Sequence, residues 1–267
     1  MFDRCFRLIL ILAALGAIGA HAQTPATVRL DELTWPELKA RIDAGATTII
    51  VPIGGIEQNG PHMALGKHNL RVSLLAERIA KALGNALVAP VVAYVPEGNI
   101  DPPTAHMRFP GTISVPVPAF EAVLDGAARS LRRAGFRDIV LLGDHGGYLK
   151  SLAAVASRLD REWAAAKVRV HVPPAYYRAA DQGFAATLAA RGYRAEEIGT
   201  HAGLADTSLT LALAPALVRV DRMRAAPSAA DGVYGDPRRS SAELGEIAAD
   251  VIVADTVDAI RKASARR

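Results

Sequence analysis

Four short apolar runs alternate with longer amphipathic stretches, and that alternation constrains the fold more than any other feature. "TTIIVPIG", "NALVAPVVAYV", "DIVLLGDHGG" and "KVRVHVPPAYY" read as strands. Between them lie "NLRVSLLAERIAKALG", "PAFEAVLDGAARSLRRAGF" and "YLKSLAAVASRLDREWAAA", with apolar residues at helical spacing. Connections of that length join parallel strands, and strands that are apolar throughout are buried on both faces. The expected fold class is therefore α/β, a three-layer αβα arrangement around a mostly parallel central sheet. A first helix, "WPELKARIDAG", can be capped by Asp31 or Thr34 and stops at Gly45. Helices are also expected in "AADQGFAATLAARGY" and "HAGLADTSLTLALAP". A last one runs from about Ser241 to Lys262, after the loop-like "APSAADGVYGDPRRS".

The first residues do not belong to this pattern. Residues 1–22 carry Arg4 and Arg7, an apolar stretch from Leu8 to Ala20 and an Ala20-His21-Ala22 cleavage pattern. They read as a secretory signal peptide, so the mature chain, residues 23–267, is expected in the periplasm or outside the cell as one domain. The apolar stretch is too short to span a bilayer comfortably, so no stable membrane insertion is expected after cleavage. The only cysteine, Cys5, lies in this segment. A mature chain without cysteine has no disulfide and no thiolate ligand, so any metal must sit on His, Asp, Glu or Asn. The net charge is only +4, and no basic patch is interleaved with aromatic residues, which argues against a nucleic-acid partner.

Three polar clusters, "GGIEQNGPH", "EGNIDPPTAH" and "GDHGG", begin where expected strands end. In open α/β sheets ligands bind beyond the carboxyl ends of the strands, so these clusters mark the expected site. A phosphate loop fails at "GPHMALGKH": five residues separate the glycines and His68 stands where Ser or Thr is needed. A serine hydrolase would need a G-x-S-x-G elbow; none is present, and Ser114 and Ser208 read as structural hydroxyls. Glu57, His62, His68, His145 and His201, with Asp144 and Asp206, have the donor types that suit zinc, manganese or iron. The residue types alone leave two readings open, a metal site and a set of hydrogen-bonded structural histidines. Lys67 reads as a solvated surface lysine. His106 and the "RFPGT" turn are expected to wall the pocket, with Phe109-Pro110-Gly111 setting turn geometry. Tyr176 and Tyr177 are expected at the end of the fourth strand.

"VPIGGIEQNGPHMALGKHNL", "FPGTIS", "VLLGDHGG" and "THAGLADTSLTLAL" resemble, in order, the four signature blocks of the creatininase (creatinine amidohydrolase) family. They span Val51 to Leu213. The resemblance implies an α/β fold, a homo-oligomer, and hydrolysis of small or cyclic amide C–N bonds at a two-metal centre. Carried over by position, the family's first glutamate ligand is Glu57 and its block-three histidine is His145. The late histidine linked to proton transfer is His201, and the glutamate of its E-T-S block becomes Asp206. Three positions depart: a histidine ligand becomes Asn59, the bridging aspartate becomes His68, and the glutamate that creatininase itself carries becomes Gly147.

A carboxylate can bridge two cations, whereas a neutral imidazole offers one lone pair. The departures therefore lead to the expectation of a remodelled one-metal site on Glu57, His68 and His145, with zinc first and manganese or iron as alternatives. Such an ion would activate water for attack on an amide carbonyl. His201 or Asp206 would carry the proton to the leaving nitrogen, and the amides of Gly146 and Gly147 would hold the oxyanion. Asn59 and His106 would contact the substrate. Creatinine itself is not expected as that substrate, because its two-metal ligand set is not reproduced. The competing expectation is a non-catalytic small-molecule binding protein on the same fold.

Overall fold

The computed structural model describes residues 26–265. The signal segment expected over residues 1–22 lies outside them. The chain runs α1 (Trp35–Asp43), β1 (Thr48–Ile53), α2 (Lys67–Leu83), β2 (Ala86–Val88), α3 (Val117–Ala134), β3 (Asp138–Gly143), α4 (Leu149–Glu162) and β4 (Arg169–His171). It continues through α5 (Pro174–Arg178), α6 (Phe184–Ala190), α7 (Ala195–Ile198), α8 (Leu204–Leu213) and α9 (Val220–Met223) to α10 (Ala242–Ser264). The strands are parallel in the order β2-β1-β3-β4.

The period-two alternation of a strand divides the core in two. Ile50, Val88, Val140 and Leu142 face one way and pack with Val72, Leu75 and Ile79 of α2 and Ala249 and Ile252 of α10. Ile49, Val51, Ile53, Leu87, Ile139 and Leu141 face the other way and meet Phe120 and Leu124 of α3 and Leu152, Val155 and Leu159 of α4. Both faces are covered, as the unbroken apolar strands require, and the result is the three-layer αβα class. On the first face α10 presses closely on α8: a Cβ on Gly245 would stand 2.0 Å from the Ser208 carbonyl oxygen.

Two strands are shorter than their apolar runs. β2 stops at Val88 because Pro90 has no N–H to give the ladder. The chain still runs alongside β1, with Ala89 N–H donating to Ile50 O and Val92 N–H to Pro52 O. β4 stops at His171 because Pro173 and Pro174 end the strand and start α5. Tyr176 and Tyr177 therefore lie on a helix, not at a strand end.

From β1 the chain winds to β2 on one side and returns across to β3 on the other. The reversal falls between β1 and β3, and the carboxyl ends of these two strands diverge there to leave a crevice. Tyr148, fully buried, fastens those ends together. Its hydroxyl accepts from the amides of Asp144 (3.2 Å) and His145 (3.1 Å) and donates its one proton between Ile53 O (2.8 Å) and Gly54 O (2.7 Å). No helix of the described residues is long and apolar enough to cross a membrane.

Two outcomes follow from these contacts. Tyr148→Phe strands buried backbone groups at both strand ends, so denaturant unfolding should show a loss of about 2 kcal/mol. His171, at the end of β4, has its pKa pushed down to about 4 by burial first and then by Arg169. The unfolded chain takes up that proton first as pH falls below about 6.5, so stability drops between there and pH 4. Unfolding curves at pH 7 and pH 5 should show about 1 kcal/mol less acid loss for His171→Gln than for the natural chain.

Candidate functional site

Beyond β1 the backbone turns through Gly54 and Gly55 into the segment that carries Glu57. Gly55 has φ +149°, and a Cβ there would sit 2.4 Å from the Glu97 Oε1 atom, so glycine is required on both counts. Asn69 Oδ1 accepts from the Gly55 amide at 2.9 Å and ties this turn to the first turn of α2. Glu57 ends up fully buried.

Four histidines surround it. His68 Nε2 lies 2.7 Å from Glu57 Oε1, and His201 Nδ1 lies 3.8 Å from the same atom. His106 Nε2 and His145 Nε2 lie 3.2 and 3.4 Å from Glu57 Oε2. His145 Nδ1 is 3.4 Å from the Oε2 atom of a second buried acid, Glu97. Two donor groups are compact enough to hold an ion: Glu57, His106 and His201, and Glu57, Glu97 and His145. Glu57 belongs to both. Glu57 Oε2 and both carboxyl oxygens of Glu97 are buried without a hydrogen-bond partner. Buried acids left this way demand a proton or a cation, so the donor set fits a divalent ion.

His68 sits apart from both groups. Its Nδ1 is 2.6 Å from Asp144 Oδ2 and its Nε2 faces Glu57, so both ring nitrogens point at carboxylates. Asp144 also takes Arg71 Nε at 2.9 Å and the Tyr176 hydroxyl at 2.6 Å. Arg71 reaches on to Asp206 Oδ1 at 2.6 Å. Asp206 Oδ2 accepts from Lys67 and from the Ala202 amide. Lys67 is not the solvated lysine expected. Its side chain is 1% exposed, paired with Asp206 and 3.9 Å from Glu57 Oε1. The acid cluster supplies the counter-charge that makes this burial tolerable.

The electrostatics follow from this layout. Burial pushes the Glu57 carboxyl up, but His68, Lys67 and His145 together hold it below the usual carboxylate range. Burial, then the Glu57 charge, pushes Glu97 up to about 9. Burial pushes His145 and His201 down to about 4, so both rings are neutral at pH 7. Burial opposes ionisation of Asp206 as well, yet Lys67 and Arg71 keep it well below its ordinary value.

The other expected residues fall in distinct places. Asn59 is fully buried and points into the loop, where its amide donates to the carbonyls of Glu57 (2.9 Å) and Ala64 (3.1 Å); it braces the segment instead of lining the cavity. Its neighbour Gln58 faces the site, with Nε2 donating to His106 Nδ1 at 3.0 Å. The Gly147 amide is turned onto its own loop, 3.3 Å from His145 Nδ1, whereas Gly146 lines the cavity beside Tyr177. Asp206 accepts from Lys67, Arg71 and the Ala202 amide, three of the four lone-pair positions of its carboxylate, and still lines the cavity. His62 is a structural residue, 3.0 Å from the Thr207 hydroxyl. In "FPGTIS", Thr112 accepts from the Gln58 amide and donates to His106 O, while Ser114 accepts from the Glu97 amide and donates to Gly98 O. These two hydroxyls hold the loop that carries His106 and Glu97.

The cavity measures about 360 Å³. One wall is polar, with His68, His106, His145 and His201; the other is apolar, with Ile198, Ala205 and Leu209. A second cavity of about 530 Å³ shares His106 and Tyr234 with it. Sequence reasoning missed Glu97, Arg71 and Gln58. Glu97 had a signal, as the acid in the "PEGNIDPPTAH" cluster beyond β2. Arg71 had another: Lys67, His68 and Arg71 put three bases in and just after the first turn of α2, where the helix dipole disfavours positive charge.

Comparison with known proteins agrees with this geometry. A profile described as creatininase, creatinine amidohydrolase, matches residues 31–260. Creatinine amidohydrolase of Pseudomonas putida is 30% identical over 257 residues, covering 88% of this chain and 97% of that protein. The mycofactocin precursor peptide peptidase of Mycolicibacterium smegmatis is 29% identical over 221 residues, covering 74% of this chain and 78% of that one. A manganese creatininase structure superposes with a TM-score of 0.74 at 30% identity, covering 88% of this chain and 98% of that one. A mutant creatininase of Zn-Zn type gives 0.71 at 30% identity, covering 89% and 98%. With the fold, the four sequence blocks and the histidine-ringed carboxylate in agreement, the chain belongs to the creatininase family.

Proposed function

We propose that this chain is a metal-dependent hydrolase that cleaves a small or cyclic amide C–N bond with water, using a single divalent ion in a remodelled site. The observation that carries the reading is Glu57: a buried carboxylate with an unpartnered oxygen, ringed by histidines that line a ligand-sized cavity. Glu57 and His145 would hold the ion, with Glu97 within reach as a further donor. Zinc or manganese suits nitrogen and carboxylate donors of this kind. When bound, such an ion supplies Lewis acidity, polarising a carbonyl and making water nucleophilic near neutral pH.

The chain's own residues supply the rest. His201 Nε2 lies 2.9 Å from Gln58 O and 3.1 Å from Gln58 Nε2; in the tautomer that donates to Gln58 O, the Nδ1 lone pair faces Glu57 and the cavity. A neutral imidazole in that tautomer can take a proton from attacking water and return it to the leaving nitrogen. Gln58 donates to His106 Nδ1, so His106 keeps its Nε2–H, which stands 3.2 Å from Glu57 Oε2 and steadies that carboxylate at the cavity wall. Lys67 and Arg71 hold Asp206 ionised and in place; Asp206 is a positioning residue, and its bond to the Ala202 amide fixes the turn beside His201. Ile198, Ala205 and Leu209 exclude water from one wall.

A short peptide amide is the second reading, favoured by the adjoining cavity that shares His106 and Tyr234 and by the likeness to a peptide peptidase. Export of the mature chain to the periplasm, and its assembly as a homo-oligomer, are part of the same proposal. The first rests on the pattern in residues 1–22 and the second on family membership.

Elemental analysis of the purified mature chain should find a tightly held divalent metal that Glu57→Gln cannot retain. A panel of cyclic amides, linear amides and short peptides should show hydrolysis that chelation abolishes and added zinc or manganese restores. A chain that binds no metal would instead be a binding protein on this fold. His201→Gln should keep its metal while kcat falls by roughly 10²–10⁴-fold. An equal loss of metal would make His201 a ligand and not a proton carrier.

A further inference from the structure

The four acids at the strand ends are not equivalent. Asp144 is satisfied by Arg71, His68 and Tyr176, and Asp206 by Lys67, Arg71 and the Ala202 amide. Glu57 Oε1 takes His68. Every buried carboxyl oxygen of the site without a hydrogen-bond partner belongs to Glu57 or Glu97. Glu97 has its side chain fully buried, and both of its oxygens are unpartnered.

The ring tautomers separate the two compact donor groups. Gln58 Oε1 accepts from the Gly60 amide at 2.8 Å, which turns Gln58 Nε2 toward His106 Nδ1. His106 Nδ1 is then an acceptor, Nε2 keeps its hydrogen, and the ring offers no lone pair to an ion beside Glu57. His145 stands between the two orphaned acids, with Nδ1 3.4 Å from Glu97 Oε2 and Nε2 3.4 Å from Glu57 Oε2. Buried carboxyl oxygens without a hydrogen-bond partner, gathered around one imidazole, are stable only around a cation or a proton.

We infer that one divalent ion is held by Glu57, Glu97 and His145, and that Lys67 and Arg71, with His68 held between Glu57 and Asp144, stand where a second ion would otherwise be needed. The inference rests on the metal-hydrolase reading and names its ligands. Glu97 enters from the loop beyond β2 and supplies the carboxylate that the site lacks at Gly147. His68 is a structural ring held between Glu57 and Asp144, in place of the ligand role expected for it from the sequence. Neither assignment needs His106 or His201 to leave its hydrogen bond to Gln58.

The test is a titration of the chelator-stripped full mature chain with zinc or manganese, read by calorimetry and by metal content, for the natural protein, Glu97→Gln and His68→Gln. The expected result is one ion per natural chain. Glu97→Gln should weaken binding at least about tenfold, while His68→Gln still binds one ion. X-ray absorption of the natural zinc protein serves as the second measurement should a variant fail to fold, and it should show one coordinated imidazole. Two or more imidazoles, two ions per chain, or loss of metal in His68→Gln with retention in Glu97→Gln would each overturn the inference. The last of these would leave the one-metal hydrolase standing with a different ligand set. Absence of any bound ion would overturn both.

Discussion

The structure depends on neutralising acids that are buried together. Glu57, Glu97, Asp144 and Asp206 meet at the carboxyl ends of β1 and β3, where the fold opens its crevice. Taking charges out of water costs several kcal/mol each unless partners compensate. Most of the local architecture supplies that compensation. The start of α2 delivers Lys67, His68 and Arg71 from one side, and the loop beyond β2 delivers His106 from the other. The helix carries its bases at the end where its dipole opposes them, a local cost accepted for a requirement of the site.

Those side chains are positioned by uncharged contacts behind them. Tyr148 joins the ends of β1 and β3, so the segments leaving the two strands diverge from a fixed point. Asn69 clamps Gly55 against α2, and glycine there lets Glu97 approach the backbone. Thr112 and Ser114 fix the loop that brings Glu97 and His106 over the crevice. Each of these residues places a polar group against a backbone donor or acceptor, Tyr148 in a fully buried position and Asn69 and Ser114 in partly buried ones, and this makes the geometry stiff.

The departures from the family's sequence blocks form a coherent set. Asn59 has turned away from the cavity to hold its own loop. His68 spans two carboxylates as a donor. Lys67 lies inside, against Asp206 and Glu57. In the proposed one-metal site, Lys67 and Arg71 from the first turns of α2 would balance the acids that a second ion would otherwise face. The residues around Glu97 and His145 keep the capacity to hold an ion.

The sequence alone determined the alternation of strands and helices, the parallel sheet covered on both faces, the end of the sheet that carries the site, and the membership of Glu57, His145 and His201 in it. These are local properties: periodicity, the polar clusters at strand ends and four ordered blocks. Tertiary structure decided that Lys67 is buried, that Asp206 pairs with Lys67 and Arg71, that Asn59 faces away while Gln58 faces in, and that Glu97 joins the cluster. Tyr176 and Tyr177 moved to a helix because two prolines ended β4 early. The orientation of a side chain in a loop depends on which groups from other elements meet it. Lys67 and Asp206 stand 139 residues apart, and Glu97 meets His145 only because the fold brings two strand ends together. Charge compensation over such separations has no periodic signature, so the sequence could supply the charges without showing how they pair.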